Sequence, residues 1–240
     1  KVKRILAIML LLIISVTVTG CEKDTKDNPI DAFDVDVNNK IAYEPEFGGE
    51  LILPLSTIKT LNPLINENMS YYHFSKLIYE GLFELGDDLN IVNQLAEDYT
   101  LKEDGKIISI KLREDVFWHD GEKFTSEDVA FTINTIKYAN DDTSYKKMFN
   151  NVLGSFNPAN IGKIWDVQIL DDYHIDITFS ESFSHGLETL TFPILPKHRF
   201  VSGREDKNSY IAALKEEDFT PIGTGPFRFV DYETHKTILL

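Results

Sequence analysis

Alternating apolar and polar positions predict two β-hairpins in the middle of the chain. Residues 99–101 and 107–112 flank an Asp-Gly turn, and residues 165–170 and 174–179 flank an Asp-Asp pair. Alternation places every second side chain on one face of a strand, and Asp and Gly favour the tight turns that join neighbouring strands. We therefore expect a sheet with one buried face here.

A helical spacing follows the first hairpin. Thr125 and Asp128 have the spacing of a capping box, in which each side chain bonds the backbone of the other residue. Val129, Ile133 and Ile136 then recur at i, i+4 and i+7, which places them on one helix face. The preceding Asp-Gly pair at positions 120–121 predicts a turn.

Further elements are predicted on both sides of these segments. Short apolar runs predict strands at 50–56, 227–232 and 237–240, and helical spacings predict helices over 72–82 and 210–214. Strands and helices follow one another without regular βαβ alternation. The fold class is therefore mixed α/β, of the α+β kind.

The first residues have the pattern of a secretory signal peptide. Basic residues at positions 1, 3 and 4 precede an apolar run over 5–14, and small residues precede Cys21. The 16 residues between Arg4 and Cys21 would span ~24 Å as a helix, which is shorter than the ~30 Å of a membrane core. A signal peptide over residues 1–20 is therefore favoured over a membrane-spanning helix.

Cys21 is the single cysteine of the chain, which excludes an intrachain disulfide and a cysteine-based metal cluster. The sequence Val-Thr-Gly-Cys at 18–21 resembles a bacterial lipobox, in which the cysteine is lipidated and becomes the mature N-terminus. The resemblance implies a lipid anchor at Cys21. Residues 21–47 are polar and without periodicity, as is typical of a flexible tether.

Net charge and the missing sequence motifs disfavour several classes of function. With 24 basic and 39 acidic residues, the formal net charge of −15 disfavours a nucleic-acid partner. None of the six histidines forms a His-Glu-x-x-His motif, and the chain has no Gly-x-Ser-x-Gly elbow and no complete phosphate loop. We therefore expect no metal, no cofactor and no enzymatic activity, although catalytic groups scattered along the sequence stay an alternative.

Four segments together resemble the family 5 extracytoplasmic solute-binding proteins, the receptors of peptide, nickel and related ABC importers. They comprise the opening GEL with the LNP turn at 61–63, the YEGLF at 79–83, the run LREDVFWHDG with its continuation FTSEDVAF at 112–131, and the PIGTGPF at 221–227. The third segment is the most specific, and the combination is more specific than any single segment. The resemblance extends from about residue 48 to the end of the chain.

This resemblance implies a two-lobed protein, with a type II periplasmic-binding-protein fold, that closes over its ligand by hinge motion. Family members are roughly twice as long, so residues 48–240 are expected to form the N-terminal lobe, with a smaller subdomain over about 70–200, and the second lobe is expected to be missing. A single lobe cannot enclose a ligand, so we expect weak binding or none from it alone. It would also expose an apolar face.

Resemblance to the oligopeptide-binding members places the ligand beside the loop after the LNP turn. The candidate contacts are Asn66, Glu67, Asn68, Met69 and Tyr71 in this loop, and Tyr145 after the signature helix. Glu67 would face a peptide's amino end, Met69 would give adaptable apolar contact, and Tyr71 would stack or donate a hydrogen bond. The alternative is that these side chains only solvate, fill or cover the fold.

The GTGP element, comprising Gly223, Thr224, Gly225 and Pro226, is predicted to be a hinge or signature segment between the lobes. Its two glycines would supply backbone freedom, and its proline would prevent helix continuation. His119 is interpreted as a turn residue of the fold rather than a ligand contact.

The sequence thus favours a lipid-anchored, extracytoplasmic receptor that captures peptides or similar solutes and delivers them to an ABC permease and ATPase. Nickel complexes, oligosaccharides and opines stay open as cargo. Two alternatives differ in class, namely a surface-anchored lipoprotein hydrolase and a truncated, non-transporting lobe with an interaction or sensing role.

Overall fold

The computed structural model describes residues 51–139, 145–146, 165–180, 182, 186–215, 219–233 and 236–240. The predicted signal peptide, the tether and Cys21 lie outside the described residues. The elements below all belong to one unit formed by residues 52–240. The described part of the chain contains no helix that is long and apolar enough to span a membrane.

A four-stranded antiparallel sheet forms the centre of this unit. Its strands are β3 (Ala96–Lys102), β4 (Ile107–Leu112), β5 (Trp165–Asp171) and β6 (His174–Phe179), in the order β3-β4-β6-β5. Both predicted hairpins are therefore confirmed. The turn between β3 and β4 is formed by Glu103, Asp104 and Gly105, which have positive φ values of 49°, 54° and 85°.

Alternation along the two central strands produces the main core. Burial alternates residue by residue in β4 and in β6, as the sequence pattern predicts. The antiparallel register places Ile108 opposite Ile177 and Ile110 opposite Ile175, and all four side chains are buried. The solvent face of the same strands pairs polar groups, such as Ser109 with Asp176, whose side chains are 2.5 Å apart.

Helix α2 (Ser126–Tyr138) contributes the other side of this core. Its apolar face includes Val129, Ile133 and Ile136, all of them buried. The capping box is confirmed, since the backbone N–H of Thr125 donates to the Asp128 carboxylate at 2.9 Å. The Ser126 hydroxyl donates to the Asp171 carbonyl at 2.6 Å, which joins the helix start to the turn of the β5–β6 hairpin.

Shorter elements complete the described chain, and together with the sheet they confirm the mixed α and β class. They are α1 (Met69–Ser75), β1 (Phe83–Leu85), β2 (Ile91–Asn93), α3 (Lys207–Ala213), β7 (Asp231–Glu233), β8 (Thr237–Leu239) and the 3₁₀ turns Glu188–Leu190 and Lys197–Arg199. The helix predicted at 210–214 is confirmed but begins earlier, because Asp206 caps it by accepting from the N–H groups of Asn208 and Ser209. The predicted final strands are confirmed in shortened form as β7 and β8.

The strand predicted over 50–56 is wrong for the described residues 51–56. They form no ladder with any segment that the structure describes, and a strand needs a neighbour to bond its backbone. Ile52 is 81% exposed and Leu53 is 47% exposed, so the apolar run is not buried here.

The helix predicted over 72–82 is wrong in its extent. Helix α1 ends at Ser75, although Ile78 and Leu82 are buried as their spacing suggests. The N–H groups of residues 77–79 still bond carbonyls at the end of α1, but the carbonyls of Leu77 and Ile78 accept from Phe227 and Gly225. Tertiary hydrogen bonds thus replace those that would continue the helix.

A second, smaller apolar cluster lies apart from the main core and involves both ends of the described chain. Ile58, Leu61 and Tyr71 form its buried part. Half-buried side chains of the last segment pack against them, among them Phe229, Tyr232 and Ile238. This cluster fastens the loop before α1 to the β7–β8 hairpin.

Candidate functional site

Asn68 organises the loop of candidate ligand residues by capping α1. Its side-chain oxygen accepts from the N–H groups of Ser70 at 2.9 Å and Tyr71 at 3.2 Å. Its amide nitrogen donates to the Thr57 carbonyl at 2.9 Å. Both ends of the Asn68 amide are therefore occupied by the protein itself.

Asn66 holds the same loop from inside. Its amide nitrogen donates to the Thr60 carbonyl, and its oxygen accepts from the N–H of Asn68 at 2.8 Å. Asn62, which lies in the LNP turn, is fully buried and donates to the Ala213 carbonyl at 2.8 Å, linking the loop to α3. Motif position alone did not reveal this linking role of Asn62.

Tyr71 is buried rather than displayed. Its ring is 1% exposed, and its hydroxyl donates to the Leu61 carbonyl. Burial raises the pKa of the Tyr71 hydroxyl, with a smaller contribution from the neighbouring Tyr145, so the group stays a protonated donor. Its contacts fit the small apolar cluster.

Among the five candidate residues at positions 66–71, Glu67 and Met69 are exposed. Met69 is 69% exposed, and Glu67 is exposed with no hydrogen bond or ion pair to any residue that the structure describes. The loop is otherwise held by its own asparagines. It therefore offers one free carboxylate and one free thioether on a fixed backbone.

A cavity of about 190 Å³ lies along α1 next to this loop. Aromatic, charged and small side chains from several elements line it, including Tyr72, Lys76, Phe83, Glu84, Gln94, Tyr145 and Glu188. Tyr72 follows the candidate loop directly. Tyr145, a candidate ligand contact from a distant part of the sequence, therefore lines the same cavity as Tyr72 of helix α1.

The polar groups of this cavity are partly organised. The Glu84 carboxylate lies 3.3 Å from the ammonium group of Lys76 and 3.3 Å from the amide nitrogen of Gln94. Gln94 in turn accepts from the N–H of Gly81 at 2.9 Å. The Lys76 ammonium also lies 5.5 Å from the ring centre of Tyr72, within cation–π range. Sequence reasoning missed these residues, since they converge only through folding.

Tyr145 packs edge-on against Phe192, with ring centres 6.5 Å apart. Burial raises the pKa of its hydroxyl, and the nearby Tyr72 adds to the shift. Tyr145 is one of the residues that line the cavity.

The GTGP element has a different character. Neither Gly223 nor Gly225 has a positive φ value, so the expectation that they supply backbone freedom is wrong. A Cβ at Gly223 would lie 1.8 Å from the carbonyl oxygen of Ile78, and one at Gly225 would lie 2.7 Å from that of Leu77. Glycine is required because two backbones pass at contact distance. Among the described residues, no group of three potential metal-ligating side chains is present.

Comparison with known proteins identifies a family with this architecture. Residues 90–240 match the model of bacterial extracellular solute-binding proteins, family 5 Middle. The chain is 29% identical over 180 residues to the glutathione-binding protein GsiB of Pectobacterium atrosepticum, which covers 73% of this chain and 30% of that protein. It is 25% identical over 240 residues to the oligopeptide-binding protein AppA of Bacillus subtilis, covering 98% of this chain and 40% of the relative.

A solved structure agrees with these relatives. The NikZ protein of Campylobacter jejuni, in complex with Ni(L-His), is 30% identical and superimposes with a TM-score of 0.55. The match covers 75% of this chain and 32% of NikZ. The chain therefore spans between about a third and two fifths of the length of these relatives.

Proposed function

Because the chain belongs to family 5 of the bacterial extracellular solute-binding proteins, we propose that it supplies one wall of a receptor that captures peptides outside the cell. The observation that carries this proposal is the segment at the start of α1, where Glu67 and Met69 are exposed on a backbone held by the side chains of Asn66 and Asn68. A receptor that binds a ligand without catalysing a reaction needs accessible side chains on a backbone that is already in place before the ligand binds.

Each candidate residue then has a part in the proposal. Glu67 offers a carboxylate for the ammonium end of a peptide, and Met69 offers a flexible apolar contact that suits varied side chains. Tyr145 contributes an aromatic side chain to the lining of the cavity. Asn66, Asn68 and Tyr71 hold the loop rather than the cargo, since their polar atoms already have partners.

Peptide cargo is favoured over the alternatives by the relatives. AppA, which aligns with nearly the whole chain, is named for oligopeptides, and GsiB is named for glutathione, itself a small peptide derivative. NikZ holds a nickel–histidine complex, so a chelated metal is the rival cargo. The described residues contain no group of three potential metal-ligating side chains, so they give no support to that rival cargo.

The proposal includes an ABC transporter, made up of a permease and its ATPase, and the cell membrane as partners. The family resemblance supports delivery to an ABC permease and its ATPase. The lipobox-like sequence before Cys21 supports a lipid anchor on the outer face of the cell membrane. Anchoring would keep the receptor near its permease, which raises the effective concentration of captured cargo there.

Uptake measurements test the proposal in cells. An in-frame deletion of the gene is expected to reduce uptake of labelled tri- to pentapeptides to background, while uptake of nickel–histidine is unchanged. Complementation with the native gene restores uptake, and Glu67→Gln or Met69→Ser restores less than the matched surface variant Glu122→Gln. Unchanged peptide uptake in the deletion strain would refute the proposal. Peptide cleavage by the purified protein would favour the hydrolase alternative instead.

A further inference from the structure

One histidine forms three hydrogen bonds to the GTGP element. His119 lies in the turn that the N–H of Gly121 closes by donating to the Trp118 carbonyl at 2.9 Å. Its backbone N–H donates to the Gly223 carbonyl at 2.9 Å. Its ring Nδ1 lies 3.3 Å from the N–H of Gly223, and its Nε2 lies 2.8 Å from the Gly225 carbonyl oxygen.

These partners determine the tautomer of the ring. A backbone N–H can only donate, so Nδ1 must accept and carries no proton. A carbonyl oxygen can only accept, so the proton is on Nε2. The neutral Nε2–H imidazole of His119 therefore bridges Gly223 and Gly225, with both ring nitrogens in use.

The other side of this segment is held equally closely. The N–H of Gly225 donates to the Ile78 carbonyl at 2.8 Å, and the N–H of Phe227 donates to the Leu77 carbonyl at 2.9 Å. The contact distances that exclude a Cβ at Gly223 and Gly225 lie on this side as well. Residues 223–227 thus run between His119 and the backbone at 77–78.

We infer that His119 is a positioning residue that locks residues 223–227 into a fixed joint. The segment predicted to be a hinge is then a rigid element, and any bending of the protein occurs outside it. This inference does not depend on the cargo, since it concerns how three segments of the chain are joined.

Substitutions at His119 separate the two ring contacts. Asn places an acceptor near the position of Nδ1 and keeps the bond from Gly223, whereas Gln places a donor near the position of Nε2 and keeps the bond to Gly225. Phe preserves the ring volume and removes both. The matched control is His174→Phe, a change of a partly exposed hairpin residue far along the sequence.

Nuclear magnetic resonance supplies the readouts. In the native protein the ¹⁵N spectrum should show a proton on Nε2 of His119 and none on Nδ1. Amide exchange at Gly223, whose N–H loses its acceptor in His119→Phe, should accelerate about tenfold, the factor expected for a lost hydrogen bond. Exchange at Gly225 and Phe227, which bond the backbone at 77–78, should also accelerate because the segment is no longer held from the His119 side. His119→Asn should keep the Gly223 amide protected, and the control variant should leave all three amides unchanged.

Two results would overturn the inference. One is a proton on Nδ1 of His119 in the folded protein. The other is unchanged exchange at the three amides in a folded His119→Phe variant. If that variant does not fold, the Gln variant decides, because exchange at Gly223 as slow as in the native protein, without an acceptor at the position of Nδ1, would show that this ring contact does not hold the segment.

Discussion

Two regions with signature sequences, the locked GTGP segment and the loop before α1, use their residues in opposite ways. In the first, backbone meets backbone, and glycines stand where a side chain would collide with Ile78 or Leu77. In the second, asparagine side chains bond the loop's own backbone, and Glu67 and Met69 stay exposed. A family motif can therefore mark either a close contact between backbone segments or a segment with exposed side chains. The two cases differ in whether the polar groups of the motif already have hydrogen-bond partners within the protein.

The largest expected effect lies at the joint. Gly223→Ala would place a methyl group 1.8 Å from the Ile78 carbonyl oxygen. We expect a loss of at least about 3 kcal/mol in the free energy of unfolding, or failure to fold. Urea denaturation monitored by circular dichroism measures this loss.

Gly121→Ala is the matched control for that experiment. Gly121 has a φ of 95° but open space around its missing Cβ. Its substitution costs only backbone strain of about 1–2 kcal/mol. An effect at Gly223 no larger than the effect at Gly121 would show that the backbones are not in contact as described.

An intermediate effect is expected in the loop. Asn68→Ala removes the cap of α1 and the bond to Thr57, and should lower the free energy of unfolding by about 1 kcal/mol. Glu67→Gln, one residue away, should change it by less than about 0.5 kcal/mol, since the Glu67 side chain has no described partner. Thermal denaturation of both variants distinguishes Asn68, which holds the backbone of the segment, from Glu67, whose side chain is exposed. Equal losses would contradict this division.

The smallest effect concerns the turn beside the joint. The Asp120 carboxylate lies 2.8 Å from Nε2 of His198. Burial opposes ionisation of Asp120, but the hydrogen bond and charge of His198 outweigh it and hold the Asp120 pKa below its ordinary value. Because the folded pKa is the lower one, the stabilisation is present above the ordinary aspartate pKa and is lost as pH falls through the folded value.

Asp120→Asn should remove this contribution, which we expect to be below about 1 kcal/mol for such a partly exposed pair. The difference in unfolding free energy between the native protein and the variant should shrink as the pH is lowered from 7 toward 3. Urea titrations across this range measure it, with Asp87→Asn as an exposed turn control. A difference that stays constant with pH would show that His198 does not stabilise the ionised Asp120 carboxylate.

Local pattern was sufficient for much of the fold. The two hairpins, the capped helix α2 and the turn at Gly121 follow from alternation, the spacing of Thr125 and Asp128, and glycine conformation, all of which act over a few residues. The strand at 51–56 and the end of α1 were wrong. Both depend on which distant backbone supplies hydrogen bonds, and neighbouring residues carry no signal of that.

The candidate site divides in the same way. The loop and its residues could be found from motif order, but their exposure could not, and Tyr71 is buried where a displayed side chain was expected. The cavity of Tyr72, Lys76, Glu84 and Tyr145 assembles from segments far apart in sequence. No spacing rule brings such residues together, because their proximity results from packing of separate elements.

The sequence by itself determined the class of fold, the family and the positions of its turns, because these depend on short-range periodicity and on motifs that can be read in the linear sequence. Only the tertiary structure decided which motif residues bond other parts of the protein and which have exposed side chains without such bonds. That distinction rests on contacts between distant backbones, as where His119 and Ile78 hold the segment at Gly223 from two sides. Chain folding sets those distances, and linear order does not contain them.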